Sequence, residues 1–242
     1  MMSVAPPVPR PVAVITGASR GIGRAIALDL AADWDVVALA RDAGDLDALA
    51  AEIARGGGRC EPRAVDVTDG AAVAAALHGV RADVLVNNAG VVVLKPFLDT
   101  GPDEWRRMID VNINALFHVT RALLPGMVER GHGHVVTIGS IAGRSAFAGG
   151  SCYAATKHFV NAWSESLLLE VREAGVKVSV VQPGGVATEF NGGDPSAPGA
   201  SWKLQAEDVA RAVRTVLATP PNTLIFQLEV RALIAKPPGG RP

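Results

Sequence analysis

The sequence has 242 residues and carries 23 Lys and Arg against 24 Asp and Glu, so its formal net charge is −1. With no basic excess, we expect neither a nucleic acid nor an anionic membrane surface as a partner. Apolar residues make up 49% of the chain, but no uninterrupted run reaches the ~18 residues that indicate a membrane span. The two cysteines, Cys60 and Cys152, lack metal-ligand spacing, so we expect no bound metal and a reducing, cytoplasmic setting.

Short segments rich in β-branched residues alternate with longer helical patterns. Strands are predicted at residues 12–16, 35–41, 60–67, 82–90, 134–140, 176–183 and 222–230. Helices are predicted at residues 21–32, 45–55, 103–129, 153–174 and 206–218, and an alanine-rich helix separates the third and fourth strands. The alternation predicts an α/β fold with one doubly wound, seven-stranded parallel sheet flanked by helices. One domain is expected over residues 1–242, with a core at 10–235 and loose termini at 1–9 and 236–242.

The first predicted strand leads into the stretch TGASRGIG, residues 16–23, with glycines at positions 17, 21 and 23. A strand that opens through glycines into a helix lets backbone N–H groups approach a pyrophosphate. The spacing differs from the commonest dinucleotide fingerprint, G-x-G-x-x-G. A glycine-rich turn that merely closes a strand–helix unit is therefore the alternative interpretation.

Two arginines lie where the ribose of such a dinucleotide is expected. The second predicted strand ends at Ala40 and Arg41, with no carboxylate before Asp42, and Arg20 lies inside the glycine loop. Guanidinium groups bind a 2′-phosphate through charge-assisted, bidentate hydrogen bonds. The pair therefore favours NADP(H) over NAD(H), the alternative being that both arginines are solvated surface residues.

Seven short motifs follow one another at characteristic intervals: TGASRGIG (16–23), DVTD (66–69), NNAG (87–90), DVN (110–112), IGS (138–140), YAATK (153–157) and PGGVAT (183–188). Together they resemble the short-chain dehydrogenase/reductase family over about residues 10–235. The resemblance implies a Rossmann-type domain. It also implies an NADP(H)-dependent enzyme that interconverts a carbonyl and an alcohol on a small or medium organic substrate by hydride transfer.

The only tyrosine of the chain, Tyr153, precedes Lys157 by four residues. On a helix this spacing places the two side chains on one face. A nearby ammonium, reinforced by an oxidised nicotinamide ring, favours the phenolate, so we expect the pKa of Tyr153 to fall towards the operating pH.

The resemblance assigns a catalytic tetrad to Asn112, Ser140, Tyr153 and Lys157. Tyr153 would be the acid or base, Ser140 would hold the substrate oxygen, and Lys157 would also bind the nicotinamide ribose. Asn112 would support a water-mediated proton path to Lys157. Two simpler interpretations remain open: Ser140 could cap the loop after its strand, and Asn112 could bond to backbone.

The resemblance also assigns contacts with the cofactor. Asp66 would meet the adenine amino group, and Thr188 would reach the nicotinamide carboxamide or the pyrophosphate. The full set of expected cofactor-binding residues is Gly17, Ser19, Arg20, Gly21, Ile22, Gly23, Arg41, Asp66, Val67, Asn88, Ala89, Gly90, Tyr153, Lys157, Pro183, Gly184, Val186 and Thr188.

Substrate specificity is expected to come from residues 91–98, residues 141–152 and the loop that follows Gly184 and runs to about residue 205. The last of these is rich in Gly, Pro and Ser and is expected to act as a mobile lid. Arg144 is the one charge considered for an acidic substrate group, although a solvated position at the rim is favoured. A mainly apolar pocket is predicted from Val92, Leu94, Phe147, Phe190 and Trp202.

The two long helices are apolar around much of their circumference, so each is either deeply buried or paired with another chain. The family that the sequence resembles pairs these helices across a dimer axis, often within a tetramer, so the resemblance implies a homodimer or homotetramer. The C-terminal segment resembles general alcohol dehydrogenases and carbonyl reductases more than fatty-acid ketoacyl reductases. Two alternatives stay open. One is a pathway-specific 3-oxoacyl-thioester ketoreductase, and the other is a non-catalytic NADP(H)-binding sensor.

Overall fold

A computed structural model describes residues 10–197 and 200–234. The predicted loose termini lie outside this range. Seven parallel strands form one sheet in the order β3-β2-β1-β4-β5-β6-β7. The strands are β1 (Val12–Thr16), β2 (Asp35–Ala40), β3 (Arg59–Ala64), β4 (Val84–Asn87), β5 (Gly133–Ile138), β6 (Val176–Pro183) and β7 (Gln227–Val230).

Helices cover both faces of the sheet. They are α1 (Gly21–Leu30), α2 (Ala43–Arg55), α3 (Gly70–Leu77), α4 (Pro102–Ile109), α5 (Ala115–Arg130), α6 (Ser151–Val171) and α7 (Ala206–Leu217). Apolar side chains of α1, α2 and α7 pack on one face, and those of α3, α5 and α6 pack on the other. The central strands are nearly continuous runs of buried Val, Ile, Leu and Ala, as strands covered on both faces must be. The predicted doubly wound, seven-stranded parallel sheet is confirmed.

The predicted helix over residues 103–129 is three segments in the structure. α4 and α5 are joined by a π-helical turn, Asp110–Asn114, whose wider winding accommodates one extra residue. Asn112 lies in this turn and is 3% exposed. Its side chain bonds to groups outside the helix, which explains why a regular α-helical ladder is interrupted here.

The chain reverses its direction of winding between β1 and β4, which are neighbours in the sheet. In open α/β sheets such a reversal leaves a crevice beyond the carboxyl ends of the strands. A glycine-rich turn begins at Gly17 after β1, and a polar turn begins at Asn88 after β4. Among the described residues, no helix combines the length and the hydropathy needed to cross a membrane.

Candidate active site

A cavity of about 1040 Å³ lies beyond the carboxyl ends of the strands. It is lined by the turn after β1, the ends of β2 and β5, the start of α6 and the segment after β6. Every residue predicted for cofactor binding or catalysis lines this cavity, except Gly23 and Asn112. The topology therefore gathers at one edge of the sheet residues that are up to 171 positions apart, from Gly17 to Thr188.

The glycine loop has a conformation that side chains would obstruct. Gly17 and Gly21 have φ angles of +65° and +54°, in the left-handed region that glycine adopts readily. Gly23 is buried, and a Cβ on it would lie 2.2 Å from the carbonyl oxygen of Gly17 and 2.5 Å from Nδ2 of Asn88. Gly23 therefore lets α1 pack against the loop, and it is not among the residues that line the cavity.

The N-terminus of α1 faces the cavity without a side-chain cap. Its first backbone N–H groups receive no side-chain bond from Arg20, the residue at the cap position. In contrast, Asp42 caps α2 and Asp69 caps α3. Uncapped N–H groups and the positive end of the helix dipole suit an anion, and a pyrophosphate fits this position.

Charged side chains surround the end of the cavity next to β2. Arg20 and Arg41 both line the cavity and are exposed, so their guanidinium groups are accessible to a ligand. The Asp42 carboxylate accepts a hydrogen bond from the Asp45 amide at 3.0 Å and is committed to capping α2. Asp66 accepts from the amide of Thr68 at 3.0 Å and from its hydroxyl at 2.8 Å. These bonds, with a smaller contribution from Arg41, lower the pKa of Asp66.

Thr16 and Asn88 fix the relative positions of the two loops that follow β1 and β4. The Thr16 hydroxyl accepts hydrogen bonds from the amides of Asn88 and Ala89, each at 3.0 Å. Nδ2 of Asn88 donates to the carbonyls of Thr16 at 2.9 Å and Gly17 at 3.2 Å. The Asn88 side chain therefore braces the glycine loop. Thr16 had no predicted role, although its hydroxyl at a strand end next to a glycine was a signal in the sequence.

Ser140, Tyr153 and Lys157 come together near the end of β5. The Ser140 hydroxyl accepts a hydrogen bond from the amide of Ala142 at 3.1 Å, so it caps the short loop as the simpler interpretation expected. It also lines the cavity, together with Tyr153 and Lys157. The Lys157 ammonium donates to the carbonyl of Ile138 at 3.0 Å and lies 5.9 Å from the centroid of the Tyr153 ring.

Burial controls the protonation of the two groups on α6. It raises the pKa of Tyr153 above its ordinary value, while a hydrogen bond with Ser140 acts in the opposite direction. It lowers the pKa of Lys157 from 10.5 to about 8. The expected fall in the Tyr153 pKa is not seen in the protein without cofactor, because desolvation of the phenol outweighs the opposing hydrogen bond with Ser140.

Asn112 binds backbone and a neighbouring hydroxyl, away from the cavity surface. Its Oδ1 accepts from the amide of Val91 at 2.8 Å, and its Nδ2 donates to the Val91 carbonyl at 2.9 Å. Nδ2 also donates to the Thr156 hydroxyl at 3.1 Å, and that hydroxyl donates to the carbonyl of Tyr153 at 2.8 Å. A Cβ on Gly90 would lie 3.5 Å from Oδ1 of Asn112 and 4.0 Å from Nζ of Lys157. Asn112 thus acts as a brace behind the catalytic candidates.

Residues 11–198 match the sequence profile of a protein family described as short chain dehydrogenase. The chain belongs to the short-chain dehydrogenase family. It is 36% identical over 235 residues to NADP-dependent 3-hydroxy acid dehydrogenase YdfG of Salmonella typhi, covering 90% of this chain and 94% of that one. It is also 37% identical over 231 residues to glycine betaine reductase ATRR of Emericella nidulans. That alignment covers 90% of this chain but only 18% of the ATRR chain.

The fold of this short-chain dehydrogenase also matches solved structures. The closed form of serine dehydrogenase complexed with NADP+ aligns with a TM-score of 0.87 and 33% identity, over 96% of this chain and 98% of that one. Membership of the family makes the chain an oxidoreductase.

The substrate side of the short-chain dehydrogenase cavity is mostly apolar. Val92, Leu94, Phe147 and Phe190 line it as predicted, whereas Trp202 does not. The Phe190 ring lies 6.4 Å from the ring of Tyr153, between centroids. This places an exposed aromatic side chain of the predicted lid beside the candidate acid.

Arg144 is exposed, as the favoured interpretation of this residue expected. Arg144 does not line the cavity, and its guanidinium pairs with Glu229 at 3.3 Å. Lys203 and Arg231 line the cavity in its place. Lys203 lies in the loop expected to contribute specificity but was not singled out, and Arg231 had no predicted role. Both reach the site through the pairing of segments that are separate in the chain. Five further charged residues at the cavity were also not predicted: Asp103, Arg106, Arg107, Asp110 and Glu189.

Proposed function

We propose that this oxidoreductase is NADP(H)-dependent and interconverts a carbonyl and an alcohol on a small or medium organic molecule. The observation that carries the proposal is the shared cavity: Ser140, Tyr153 and Lys157 line it at one end, and the uncapped N-terminus of α1 faces it with Arg20 beside it. YdfG is named as NADP-dependent, and the serine dehydrogenase structure holds NADP+. The first resembles this chain in sequence and the second in fold, each over more than nine tenths of its own length.

The cofactor site combines backbone donors with two guanidinium groups. The first N–H groups of α1 would hold the pyrophosphate, since the glycine loop leaves room for close approach. Arg20 and Arg41 would bind a 2′-phosphate, and the commitment of Asp42 to the α2 cap removes the nearest competitor carboxylate. When bound, the nicotinamide supplies or accepts the hydride.

The proton of the proposed reaction is held by Tyr153. Its raised pKa keeps the phenol protonated at neutral pH, so in reduction it can donate to the developing alkoxide oxygen while the Ser140 hydroxyl holds that oxygen. The phenolate left behind is stabilised by the Lys157 ammonium on the same helix face. In oxidation the phenolate removes the proton from the alcohol, so that direction is favoured at higher pH.

A homo-oligomer remains part of the proposal. Phe117 on α5 is 59% exposed, and Phe159 and Leu169 on α6 are 38% and 58% exposed. Large apolar side chains on two long helices favour association with a second copy. Light scattering coupled to gel filtration would test it, since Phe117→Glu is expected to shift the wild-type oligomer towards a smaller species.

The test of the function measures initial rates of NADPH and NADH oxidation with aldehydes, ketones and 3-oxoacyl thioesters. Tyr153→Phe keeps the ring and removes the acid, so we expect it to bind NADPH like the wild type and to lose turnover by about 10²–10⁴-fold. A preference for thioesters over free ketones would favour the ketoreductase alternative. Tight NADPH binding without turnover of any carbonyl by the wild type would contradict the proposal and support the sensor.

A further inference from the structure

Arg231 lies next to the strand end that carries Ser140. Arg231 directly follows β7. Gly184, which directly follows β6, lies between Arg231 and the loop after β5. A Cβ on Gly184 would lie 3.8 Å from the Cα of Arg231 and 3.8 Å from Cδ1 of Ile141, the residue after Ser140. The amide of Gly184 also donates to the carbonyl of Val230 at 2.8 Å. The position of Arg231 is therefore fixed close to the residues proposed for catalysis.

Lys203 reaches the same turn from the predicted lid. The amide of Leu204 donates to the carbonyl of Gly185 at 3.1 Å, and the amide of Ala187 donates to the carbonyl of Leu204 at 2.8 Å. These bonds hold Lys203 beside Gly185, where a Cβ would meet no atom within 4 Å. Among the residues that the structure describes, no carboxylate forms an ion pair with the Lys203 ammonium. Lys203 lines the cavity, and its ammonium lies 5.9 Å from the centroid of the Trp202 ring.

The charge near Arg231 is only partly compensated. Glu229 accepts from Arg231 at 2.5 Å and pairs with Arg144 at 3.3 Å, so one carboxylate serves two guanidinium groups. Both arginines lower the pKa of Glu229, which keeps this carboxylate ionised. Three other carboxylates at the cavity have partners or positions of their own. Oε2 of Glu189 lies 4.0 Å from a Cβ built on Gly21, Asp103 pairs with Arg106 at 2.8 Å, and Asp110 accepts a hydrogen bond from Asn114 at 2.9 Å. A surplus of positive charge therefore remains at the Gly184–Gly185 turn.

From this arrangement we propose that the substrate carries an anionic group, such as a carboxylate, which Lys203 and Arg231 bind while Ser140 and Tyr153 hold the reacting oxygen. The inference rests on the proposed function and names the substrate class for that site. The cavity also presents the apolar side chains of Val92, Leu94 and Phe147, which suit a short hydrocarbon stem between the two polar ends.

Two matched pairs of compounds test the proposal. Succinic semialdehyde and methyl 4-oxobutanoate are compared in reduction by NADPH, and 3-hydroxybutyrate and methyl 3-hydroxybutyrate are compared in oxidation by NADP+. The variants are Lys203→Gln, Arg231→Gln and Glu229→Gln. Arg172→Gln serves as the control, because it removes a guanidinium that is 57% exposed, pairs with Glu173 and does not line the cavity.

The acid is expected to exceed its ester in kcat/KM at least ~10-fold in the wild type. Lys203→Gln and Arg231→Gln should each reduce that ratio ~10-fold, mainly through KM of the acid, because each removes one charge-assisted hydrogen bond. Glu229→Gln should raise the ratio, and Arg172→Gln should leave it unchanged.

A wild type that prefers the esters, or cation variants that impair acid and ester equally, would overturn the inference while leaving the carbonyl chemistry intact. Absence of turnover with the carbonyl panel, in a wild type that binds NADPH, would instead overturn the proposed function and this inference with it.

Discussion

Asn112 and Thr156 are 44 positions apart in the chain, and Nδ2 of Asn112 donates a hydrogen bond to the Thr156 hydroxyl at 3.1 Å. Both side chains are buried, at 3% and 0% exposure. The Thr156 hydroxyl donates in turn to the carbonyl of Tyr153 at 2.8 Å, and Asn112 binds both backbone groups of Val91. The helical turn that carries Tyr153 and Lys157 is thereby tied to the loop after β4.

Replacing Thr156 by valine tests this positioning role. Thr156→Val keeps the shape of the side chain but leaves the second Nδ2 hydrogen of Asn112 without an acceptor, which costs about 1–3 kcal/mol of stability. We expect kcat to fall with little change in KM for the carbonyl, because the acid is displaced. Urea unfolding and steady-state kinetics measure the two effects.

Thr156→Ser is the matched control for that variant. It keeps the hydroxyl and loses only a methyl group, so it should retain kcat even if stability falls by about 1 kcal/mol. Equal losses of kcat in the serine and valine variants would show that packing, and not the hydrogen bond, is what matters.

Cofactor preference should respond to a single carboxylate at the end of β2. Ala40 lines the cavity immediately before Arg41, and Ala40→Asp places a carboxylate where it repels a 2′-phosphate and accepts from a 2′-hydroxyl. We expect kcat/KM for NADPH to fall ~10–100-fold and the NADH value to rise. Arg41→Ala should reduce only the NADPH value. A wild type that already prefers NADH would contradict the roles given to Arg20 and Arg41.

The sequence predicted the strands well because buried parallel strands are short apolar runs bounded by turns, as at residues 12–16. It predicted one continuous helix where the structure has an interruption at Asn112. A π-helical turn has no signal in the composition, and the side chain of Asn112 bonds to Val91 and Thr156, which are distant in the sequence. Motif resemblance brought Ser140, Tyr153 and Lys157 to one cavity as expected. It could not reveal that burial, and not charge, dominates the pKa of Tyr153.

The long-range contacts of the site were the hardest to predict. Arg231 enters through the pairing of β7 with β6, and Lys203 enters through the bonds between Leu204 and Gly185. Neither pairing can be predicted from the local sequence, because each depends on which segments become neighbours in the fold. Arg144 was considered for binding an acidic substrate group because it lies inside a segment expected at the substrate. In the structure its guanidinium forms an ion pair with Glu229.

Gly23 should be intolerant of even a methyl group. Gly23→Ala would bring a Cβ to 2.2 Å from the Gly17 carbonyl oxygen, which is backbone and cannot move aside without shifting the loop. We expect Tm to fall and NADPH affinity to weaken at least ~10-fold, because overpacking costs about 1–3 kcal/mol. Differential scanning fluorimetry with and without NADPH measures both.

Gly44→Ala is the control, since its nearest contact is an ordinary 3.4 Å to Oδ1 of Asp42 and alanine favours the helix. A Gly23→Ala protein with wild-type Tm and NADPH affinity would show that the loop can relax away from α1.

Lys157 should make stability depend on pH in the protein without cofactor. Burial lowers its pKa from 10.5 to about 8, so the folded state binds fewer protons than the unfolded state between these values. Below pH 8 the whole free-energy cost of burying the ammonium lowers the stability of the folded state, and this cost decreases as the pH rises towards 10.5. Lys157→Met should therefore be more stable than the wild type at pH 7 by on the order of 3 kcal/mol, with the difference shrinking above pH 8.

Thermal unfolding of wild type and Lys157→Met at pH 7, 8, 9 and 10 measures this difference, and Lys203→Met makes the same substitution at a half-exposed position. We expect the stability difference from the wild type to shrink with rising pH only for Lys157→Met. The same variant should lose turnover, because it lacks the cation beside the phenolate. A Lys157→Met protein that is less stable at pH 7 would contradict the argument. It would mean that the ammonium gains more from its 3.0 Å bond to the Ile138 carbonyl than it loses by leaving water.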